Sequence, residues 1–415
     1  MEFCDTYSRF FIAQGRNSVA YARQYLGGLL SDTLDKNIER IEEKFADVDY
    51  ESVQHFISSS KWDQGALLAQ LAIDVDSLLG GDEHTSLVID ETCFAKKGNH
   101  SVGVQRQYNG NLGKVDNCQC GVFSALACGD RSSFIDFALY MPKQWLEDSV
   151  RCDRAKVPAA HREFRTKIDI ALEQVSKAVQ NGVRFSWVGA DSLYGHSNDF
   201  RNQLEDSGLN YVCDIKKNFK LTYQGDHQSI EDLALNHFAK RSEFIRYRSG
   251  TKGSLQCQCA CFEVQVGERS ATAIISKDDH GGFKYSLTNM GGTVTQHAYR
   301  QHQRYWIEDG FKRAKSDLGM ADYQVRGWIG WHHHIALVCL AQFFTLRQSM
   351  LFVDSLPLLS TRDVVCLLEY FLPQRQRSFE DVCNAMLFRH QKRLRDIQNS
   401  YNKEFQSIPK KYLPK

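Results

Sequence analysis

The segment Thr85-Ser-Leu-Val-Ile-Asp-Glu-Thr92 decides how the chain is interpreted, because a short apolar run ends there in two acids. Val88 and Asp90 are two residues apart and therefore lie on one face of a strand, with Asp90 at its polar end. Two more strands are predicted at 101–108 and 118–128, with a glycine- and asparagine-rich turn between them. The segment thus predicts the first strand of a sheet that presents a carboxylate at its end.

The residues after these strands alternate between helix and strand. A helix is predicted over 162–180 and a strand over 185–190, and a helix at about 199–205 and a strand at 211–215 follow. Three strands followed by helix, strand, helix and strand predict an α/β unit. Asp191 comes directly after the strand at 185–190, so a second carboxylate is expected at a strand end.

A β-rich stretch then interrupts this unit. Alternation at 257–266, an apolar run at 271–276 and several glycine turns indicate strands through 219–290. A strong helix is predicted over about 295–317, and the apolar stretch 321–350 is also expected to be helical. An all-β block between a strand and the next helix of an α/β unit indicates an insertion.

The composition is that of an ordinary globular protein. The 415 residues include 51 Lys plus Arg and 50 Asp plus Glu, with 42% hydrophobic and 24% charged residues, which excludes a mainly disordered or fibrous chain. The apolar run 335–344 is far shorter than the ~20 residues that cross a bilayer. The first residues lack the basic and apolar regions of a signal peptide. We therefore expect a soluble, cytoplasmic protein with no membrane partner.

The near-zero net charge conceals an asymmetry along the chain. Residues 31–82 carry twelve acids against four bases, whereas residues 371–415 carry ten bases against four acids. The basic tail is able to follow the backbone of a polyanion. On charge alone, a solvated basic helix explains the same pattern.

Three acids have positions that suit metal chemistry. Asp90 and Asp191 are at strand ends, and Glu308 is within a predicted helix, where Arg304 and Lys315 share its face at offsets of four and seven. Convergent carboxylates bind Mg²⁺, and a pair of such ions promotes phosphodiester cleavage. Taken singly, each acid is better explained as a surface residue or a simple ion-pair partner, since the chain has fifty acids.

These residues stand in motifs of a known family. Val88-Ile-Asp-Glu-Thr92, Gly189-Ala-Asp-Ser-Leu-Tyr-Gly195 and Arg304-x₃-Glu308-x₆-Lys315 resemble the three acidic motifs of bacterial insertion-sequence DDE transposases. The similar branch has a β-strand insertion and a Tyr-Arg-Glu-Lys signature, and the phrases at 94–108 and 328–334 also resemble it. The resemblance implies that Asp90, Asp191 and Glu308 are the catalytic, metal-binding residues, with two Mg²⁺ ions for which Mn²⁺ substitutes. The tyrosine of the signature is replaced here by Gln301.

The resemblance also implies an architecture. The fold is expected to be α/β, with an RNase H-like catalytic core interrupted by a β-rich insertion. The predicted regions are a helical, DNA-binding N-terminal region (1–82), the first part of the core (83–218), the β-rich insertion (219–292), the second part of the core with the glutamate helix (293–350) and a basic helical C-terminal region (351–415).

Five basic residues are predicted to bind DNA. Arg304 and Lys315 would hold the backbone near the scissile phosphate, and Lys96, Lys97 and Arg106 surround the first hairpin, which is also explained as merely solvated. Two further features have competing interpretations. Glu91 competes with Asp90 for the metal, but strand alternation is expected to turn it to the other side. The run His332-His-His334 is expected to pack in the core, because consecutive helix positions splay apart.

The function implied is that of a DNA transposase acting by cut-and-paste. It would bind the terminal inverted repeats of an insertion sequence as a homodimer, cut them and join them to target double-stranded DNA, and associate with the bacterial nucleoid when bound. Two alternatives remain from the sequence. One is a metal-dependent DNA nuclease without strand transfer, and the other is a non-catalytic, domesticated DNA-binding protein.

Overall fold

The structure is a computed structural model. It describes residues 2–46, 48–110, 112–250, 253–278 and 281–375, followed by the short pieces 378–380, 383–384, 386–387, 390–391, 393–395 and 397–399. Most of the basic C-terminal tail therefore lies outside the described residues. In the described part of region 351–415, a regular helix is present at Thr361–Leu368.

The chain begins with helices that flank a short hairpin. This part comprises α1 (Glu2–Thr6), β1 (Ile12–Ala13), β2 (Arg16–Asn17), α2 (Val19–Leu29), α3 (Ile38–Lys44), α4 (Tyr50–Ser58) and α5 (Gln64–Leu79), with a 3₁₀ turn at Ser8–Phe11. Asp49 and Asp63 cap α4 and α5 by accepting hydrogen bonds from backbone N–H groups, which explains why these helices start there. In the described residues 2–46 and 48–79, helices therefore predominate.

An α/β unit follows. It comprises β3 (Ser86–Ala95), β4 (Gln105–Asn109), β5 (Lys114–Cys128), β6 (Arg131–Leu139), α6 (Lys143–Leu146), α7 (Ser149–Arg154), α8 (Lys167–Gln180), β7 (Trp187–Ala190), α9 (Ser192–Gly195), α10 (Asn198–Asp206) and β8 (Tyr211–Asp214). Gly182, just past α8, has φ of +73°, a left-handed conformation that suits glycine at a helix end.

The remaining elements are a β-rich block and a helical end. They are β9 (Lys220–Tyr223), β10 (Asp226–Ser229), α11 (Ile230–Arg241), β11 (Glu243–Gly250), β12 (Gly253–Val266), β13 (Arg269–Lys277), β14 (Phe283–Thr288), α12 (Val294–Gln303), α13 (Tyr305–Asp317), α14 (Trp328–Leu351) and α15 (Thr361–Leu368). The segment 295–317, predicted as one helix, therefore forms two helices, and Arg304 is the residue between them.

One large sheet organises the molecule. Strands β6, β5 and β3 are antiparallel neighbours, and β7 and then β8 continue the sheet parallel to β3. This order of three antiparallel and two parallel strands is that of an RNase H-like core, and the predicted fold class is confirmed. The β-rich block extends the same sheet, since β14 pairs antiparallel with β8 and β13 follows β14.

The long helix α14 forms the centre of the helical layer. It is buried along most of its length and packs against β6 and against α2, α4 and α5. Phe3 contacts Phe344 edge to face, with ring centroids 4.9 Å apart. The N-terminal helices therefore complete the core beside the sheet, and their predicted role in DNA binding stays a prediction. No helix of the described chain is long and apolar enough to cross a membrane.

Candidate active site

Three aspartates stand side by side across the parallel strands. Ile89 pairs with Ala190, and Ala190 pairs with Cys213. The next residue of each strand is an aspartate, so Asp90, Asp191 and Asp214 form one row across β3, β7 and β8. We call these three residues the aspartate row. Strand β7 ends just before Asp191 and β8 ends at Asp214, but β3 continues to Ala95, so Asp90 lies within its strand and not at the predicted strand end. The parallel register of the three strands brings these residues together.

A compact carboxylate cluster forms at one end of this row. One oxygen each from Asp90, Glu91 and Asp191 lies within 4.8 Å of the others. Alternation along β3 therefore does not separate the Glu91 carboxylate from that of Asp90 as expected. Glu91 is nevertheless engaged elsewhere: Oε1 lies 2.9 Å from Lys167 Nζ, and Oε2 accepts a hydrogen bond from the Tyr194 hydroxyl at 2.7 Å.

The cluster holds more negative charge than its surroundings neutralise. Burial raises the pKa of Asp90 well above its usual value, and Asp191 and Glu91 add to this effect while Arg304 opposes it. Burial, followed by repulsion from Glu91, raises the pKa of Asp191 to about 6. Asp191 also accepts a hydrogen bond from Leu193 N at 2.8 Å, which caps α9 and fixes its side chain.

This donor set fits a divalent cation. Carboxylate oxygens are the ligands that Mg²⁺ and Mn²⁺ prefer, and a cation would offset both the burial and the smaller mutual repulsion that raise the pKa values of Asp90 and Asp191. Among the described residues, no other group of three histidine, cysteine, aspartate or glutamate side chains converges in this way.

Arg304 connects the aspartate row to the glutamate helix. Its Nη1 lies 3.1 Å from Asp90 Oδ2 and 2.6 Å from Glu308 Oε1, and its Nε donates to Asp214 Oδ2 at 2.9 Å. Burial opposes the charge of Arg304, but Asp214, Asp90 and Glu308 together raise its pKa above the usual value. The break between α12 and α13 at Arg304 accompanies this inward position of the side chain.

Glu308 lies at the rim of the site. Its side chain is 49% exposed, and it approaches Asp90 through their shared contact with Arg304 rather than through the carboxylate cluster. Lys315, two turns further along α13, donates to Thr92 Oγ1 at 2.7 Å and to the Cys93 carbonyl at 3.3 Å. Burial lowers its pKa. In this structure Lys315 thus ties α13 to β3, beside Asp90.

The other predicted DNA-binding residues separate into two groups. Lys97 and Arg106 are exposed. Lys96 lies with its Nζ 3.5 Å from the centre of the Tyr323 ring, and burial lowers its pKa to about 8. Its ammonium is therefore directed toward the protein, and only Lys97 and Arg106 of this group present their charge to solvent.

Gln301 and the three histidines serve packing. Gln301 is buried and donates to Ser286 Oγ at 2.9 Å, so the signature position is turned toward the sheet. His332 lies against the Trp328 carbonyl, His333 stacks on Trp62 with ring centres 3.9 Å apart, and His334 bonds to the Tyr25 hydroxyl at 2.8 Å. Burial lowers the pKa of each histidine. The expectation that they pack in the core is confirmed.

Asp214 is the site residue that sequence reasoning missed. Besides Arg304, it contacts Lys284 Nζ at 3.4 Å and accepts a hydrogen bond from Ser286 Oγ at 2.6 Å. The sequence does contain a signal for Asp214. The predicted strand at 211–215 carries an acid near its end, as the two motif strands before it carry Asp90 and Asp191. Without strand register, this acid was indistinguishable from any other.

Comparison with known proteins agrees with this geometry. The sequence profile of the DDE superfamily endonucleases matches residues 10–232, and that of the transposase DDE domain matches residues 162–344. A probable transposase for insertion sequence element IS701 from Microchaete diplosiphon is 28% identical over 342 residues, covering 78% of this chain and 81% of that one. The NurA nuclease from Sulfolobus solfataricus covers 70% of this chain and 92% of its own at 10% identity, but the TM-score of 0.25 carries no argument.

The endonuclease profile spans more than half of the chain and includes Asp90 and Asp191, and the transposase profile extends past Glu308. Together the two profiles therefore cover the segments that the parallel strands and α13 bring together. Because the profiles and the RNase H-like strand order agree, the chain belongs to the DDE superfamily of endonucleases and is one of its transposases.

Proposed function

We propose that this transposase cuts and joins the ends of an insertion sequence by a cut-and-paste reaction at Asp90, Asp191 and Glu308. The observation that carries the proposal is the row of aspartates in register across β3, β7 and β8, with Glu308 joined to it through Arg304. When two Mg²⁺ or Mn²⁺ ions are bound there, they activate the attacking oxygen and stabilise the leaving oxygen of the scissile phosphodiester.

The residues around the carboxylates position the reaction. Leu193 N and the backbone N of Glu91 orient the Asp191 and Asp90 carboxylates. When DNA binds, the Arg304 guanidinium leaves Asp90 and Glu308 and contacts the DNA phosphate. Its hydrogen bond to Asp214 keeps the guanidinium in place. Guanidinium groups suit this role because they present paired donors to phosphate oxygens.

Two displacements of the same kind complete the reaction. In the first, water attacks the phosphorus at the element end, the bond to the 3′ oxygen breaks, and a 3′-OH and a 5′-phosphate are released. In the second, that 3′-OH attacks a phosphorus of target DNA and displaces its 3′ oxygen, so that one phosphodiester replaces another. Since both ends must be joined together, we propose a homodimer on double-stranded DNA, bound to terminal inverted repeats and associated with the nucleoid.

The test uses a supercoiled plasmid that carries the gene with its native flanks. The protein is incubated with it in Mg²⁺, Mn²⁺ or EDTA, alongside Asp191→Asn and the control Asp226→Asn, whose exposed acid is on β10 at the far end of the same sheet. We expect metal-dependent cuts at the element ends and joined products for the wild type and the control, and neither for Asp191→Asn.

The products separate the proposal from its alternatives. Cuts without joined products would make the chain a nuclease that lacks strand transfer. Binding of DNA with no cleavage in either metal would leave a DNA-binding protein without catalysis. If Asp191→Asn cleaved DNA at the wild-type rate, the aspartate row would not take part in catalysis.

A further inference from the structure

A groove beside the β4–β5 hairpin carries positive charge that the proposed reaction does not use. It has a volume of about 860 Å³ and is lined by arginines from three separate segments. Arg106 comes from β4, Arg151 and Arg154 come from α7, and Arg326 precedes α14. The lining acid is Asp148, which caps α7 by accepting a hydrogen bond from Arg151 N at 2.9 Å. We call this feature the arginine groove.

The guanidinium groups of the arginine groove lack local counter-charges. Arg106, Arg154 and Arg326 are exposed, and within the described part of the chain no ion pair joins any of them to a carboxylate. Burial lowers the pKa of Arg151, and Asp148 opposes this only in part. Four arginines against one capping aspartate therefore make a concave surface that attracts anions.

The groove is held in shape before any ligand binds. The Arg151 guanidinium lies 3.8 Å from the Trp145 ring and donates to the Asn99 carbonyl at 2.7 Å. Two hydrogen bonds to backbone carbonyls connect the segments: Val102 N donates to the Arg326 carbonyl at 2.8 Å, and the Trp145 side chain donates through Nε1 to the Val104 carbonyl. Because Arg151 is already fixed in this way, its guanidinium loses little freedom on binding, which favours affinity.

Strand β5 runs from the groove to the active site, so its length gives the distance between them. Asn117 of β5 lines the groove, and Phe123 of the same strand pairs with Asp90. Six residues of extended strand span ~20 Å. Duplex DNA rises ~3.4 Å per base pair, so the same span is about six base pairs.

We propose that the arginine groove binds the sugar–phosphate backbone of duplex DNA about six base pairs from the scissile phosphate. The groove is much larger than one phosphate group, and its four guanidinium groups from three segments suit a run of backbone phosphates better than a single anion. This inference rests on the proposed function, since it places the DNA that the aspartate row cuts. It adds a binding surface outside the catalytic residues.

The test measures DNA affinity by fluorescence anisotropy in EDTA, so that no cleavage occurs. The full chain is titrated with a duplex that spans one element end, over a range of salt concentrations. Arg154→Gln with Arg326→Gln is compared with Lys220→Gln with Lys240→Gln, which removes the same charge from exposed positions in 219–292. We expect the groove variant to reduce the slope of log K against log salt by about 2, or about 1 for each phosphate that is no longer bound.

A second measurement locates the bound phosphates on the DNA. Ethylation of single phosphates should interfere with wild-type binding about six base pairs from the cleavage site, and this interference should disappear in the groove variant. Equal slopes and equal interference for wild type and groove variant would overturn the inference while leaving the proposed function intact. No binding by the wild type, with plasmid cleavage also absent, would overturn both. A melting temperature equal to that of the wild type confirms that the variant is folded.

Discussion

Arg304 is held between Asp214 and Asp90, which stand at the two outer positions of the aspartate row. Its Nε lies 2.9 Å from Asp214 and its Nη1 lies 3.1 Å from Asp90. Because the two contacts use different nitrogens, the bond to Asp214 can persist when the other is exchanged for a phosphate. Asp214 is thus placed to position Arg304 without contacting DNA itself.

The substitution Asp214→Asn should therefore slow cleavage without removing the metal site. The neutral amide would remove the ion pair of Lys284 and one of the three carboxylates that hold Arg304. A misplaced positioning group lowers rates by roughly a hundredfold. We expect single-turnover cleavage to fall by about ten- to a hundredfold, with the midpoint of the Mg²⁺ titration unchanged. A shift of that midpoint as large as the loss in rate would instead make Asp214 a metal ligand.

Asp191 makes stability depend on pH in the metal-free protein. Burial and Glu91 raise its pKa from 3.8 to about 6, so the folded state holds the proton more tightly than the unfolded chain. Its contribution to stability is therefore complete only below about pH 4 and is lost as the pH rises through about 6. Asp191→Asn keeps a side-chain oxygen for Leu193 N and should be more stable by roughly 1–3 kcal/mol at about pH 8.

Thermal unfolding in EDTA between about pH 4 and pH 8 measures whether Asp191 stabilises the protein at acid pH and destabilises it at alkaline pH. The advantage of Asp191→Asn should vanish toward acid pH, whereas Asp226→Asn, with its exposed acid, should match the wild type throughout. Added Mg²⁺ should reverse the order at high pH, because the cation stabilises only a folded state that binds it. A variant less stable than the wild type at every pH would show that the Asp191 charge is compensated.

The positions of individual strands could be predicted from the sequence. Alternation and turn residues predicted β3, β7 and β8, and acids at two of their ends predicted Asp90 and Asp191 as site residues. These features are local, since side-chain period and strand ends are set by neighbouring residues. The RNase H-like order additionally required the family resemblance, because local patterns do not specify which strands pair.

The contacts between segments far apart in sequence could not be predicted. Helical periodicity over 295–317 gave no sign of the break at Arg304, which accompanies contacts with Asp90 and Asp214 far away in sequence. For the same reason the sequence did not distinguish Lys96, whose ammonium lies over Tyr323, from the exposed Lys97. Charge type is read directly from a sequence, but the direction of a long side chain depends on tertiary packing.

Gly195 should be intolerant of a side chain. A Cβ at this residue of α9 would lie 2.7 Å from the Cβ of Cys213 and closer still to the Asp214 carbonyl oxygen. Gly195→Ala should therefore lower the free energy of unfolding by about 1–3 kcal/mol. It should also slow cleavage, since β8 carries Asp214. Gly189→Ala is the matched control, because there the nearest atom would be 3.6 Å away, and its melting temperature should not fall.

Glu91 and Glu308 compete for the third place at the metal, and their hydrogen bonds separate them. Both oxygens of Glu91 are engaged by Lys167 and Tyr194, whereas Glu308 is half-exposed and bonded to an arginine that is itself expected to move. We therefore expect Glu308→Gln to lose Mg²⁺-induced stabilisation and to reduce cleavage by more than about a hundredfold. Glu91→Gln should keep cleavage within about tenfold of the wild type.

Melting temperature with and without Mg²⁺ measures the metal directly, separately from catalysis. At a Mg²⁺ concentration about a hundredfold above the dissociation constant, binding should stabilise the wild type by ~2.7 kcal/mol. Glu91→Gln should retain most of this gain, since Asp90, Asp191 and Glu308 remain. If Glu91→Gln lost both the gain and the cleavage while Glu308→Gln kept them, the carboxylate cluster of Asp90, Glu91 and Asp191 would itself be the metal site, and Glu308 would serve only to hold Arg304.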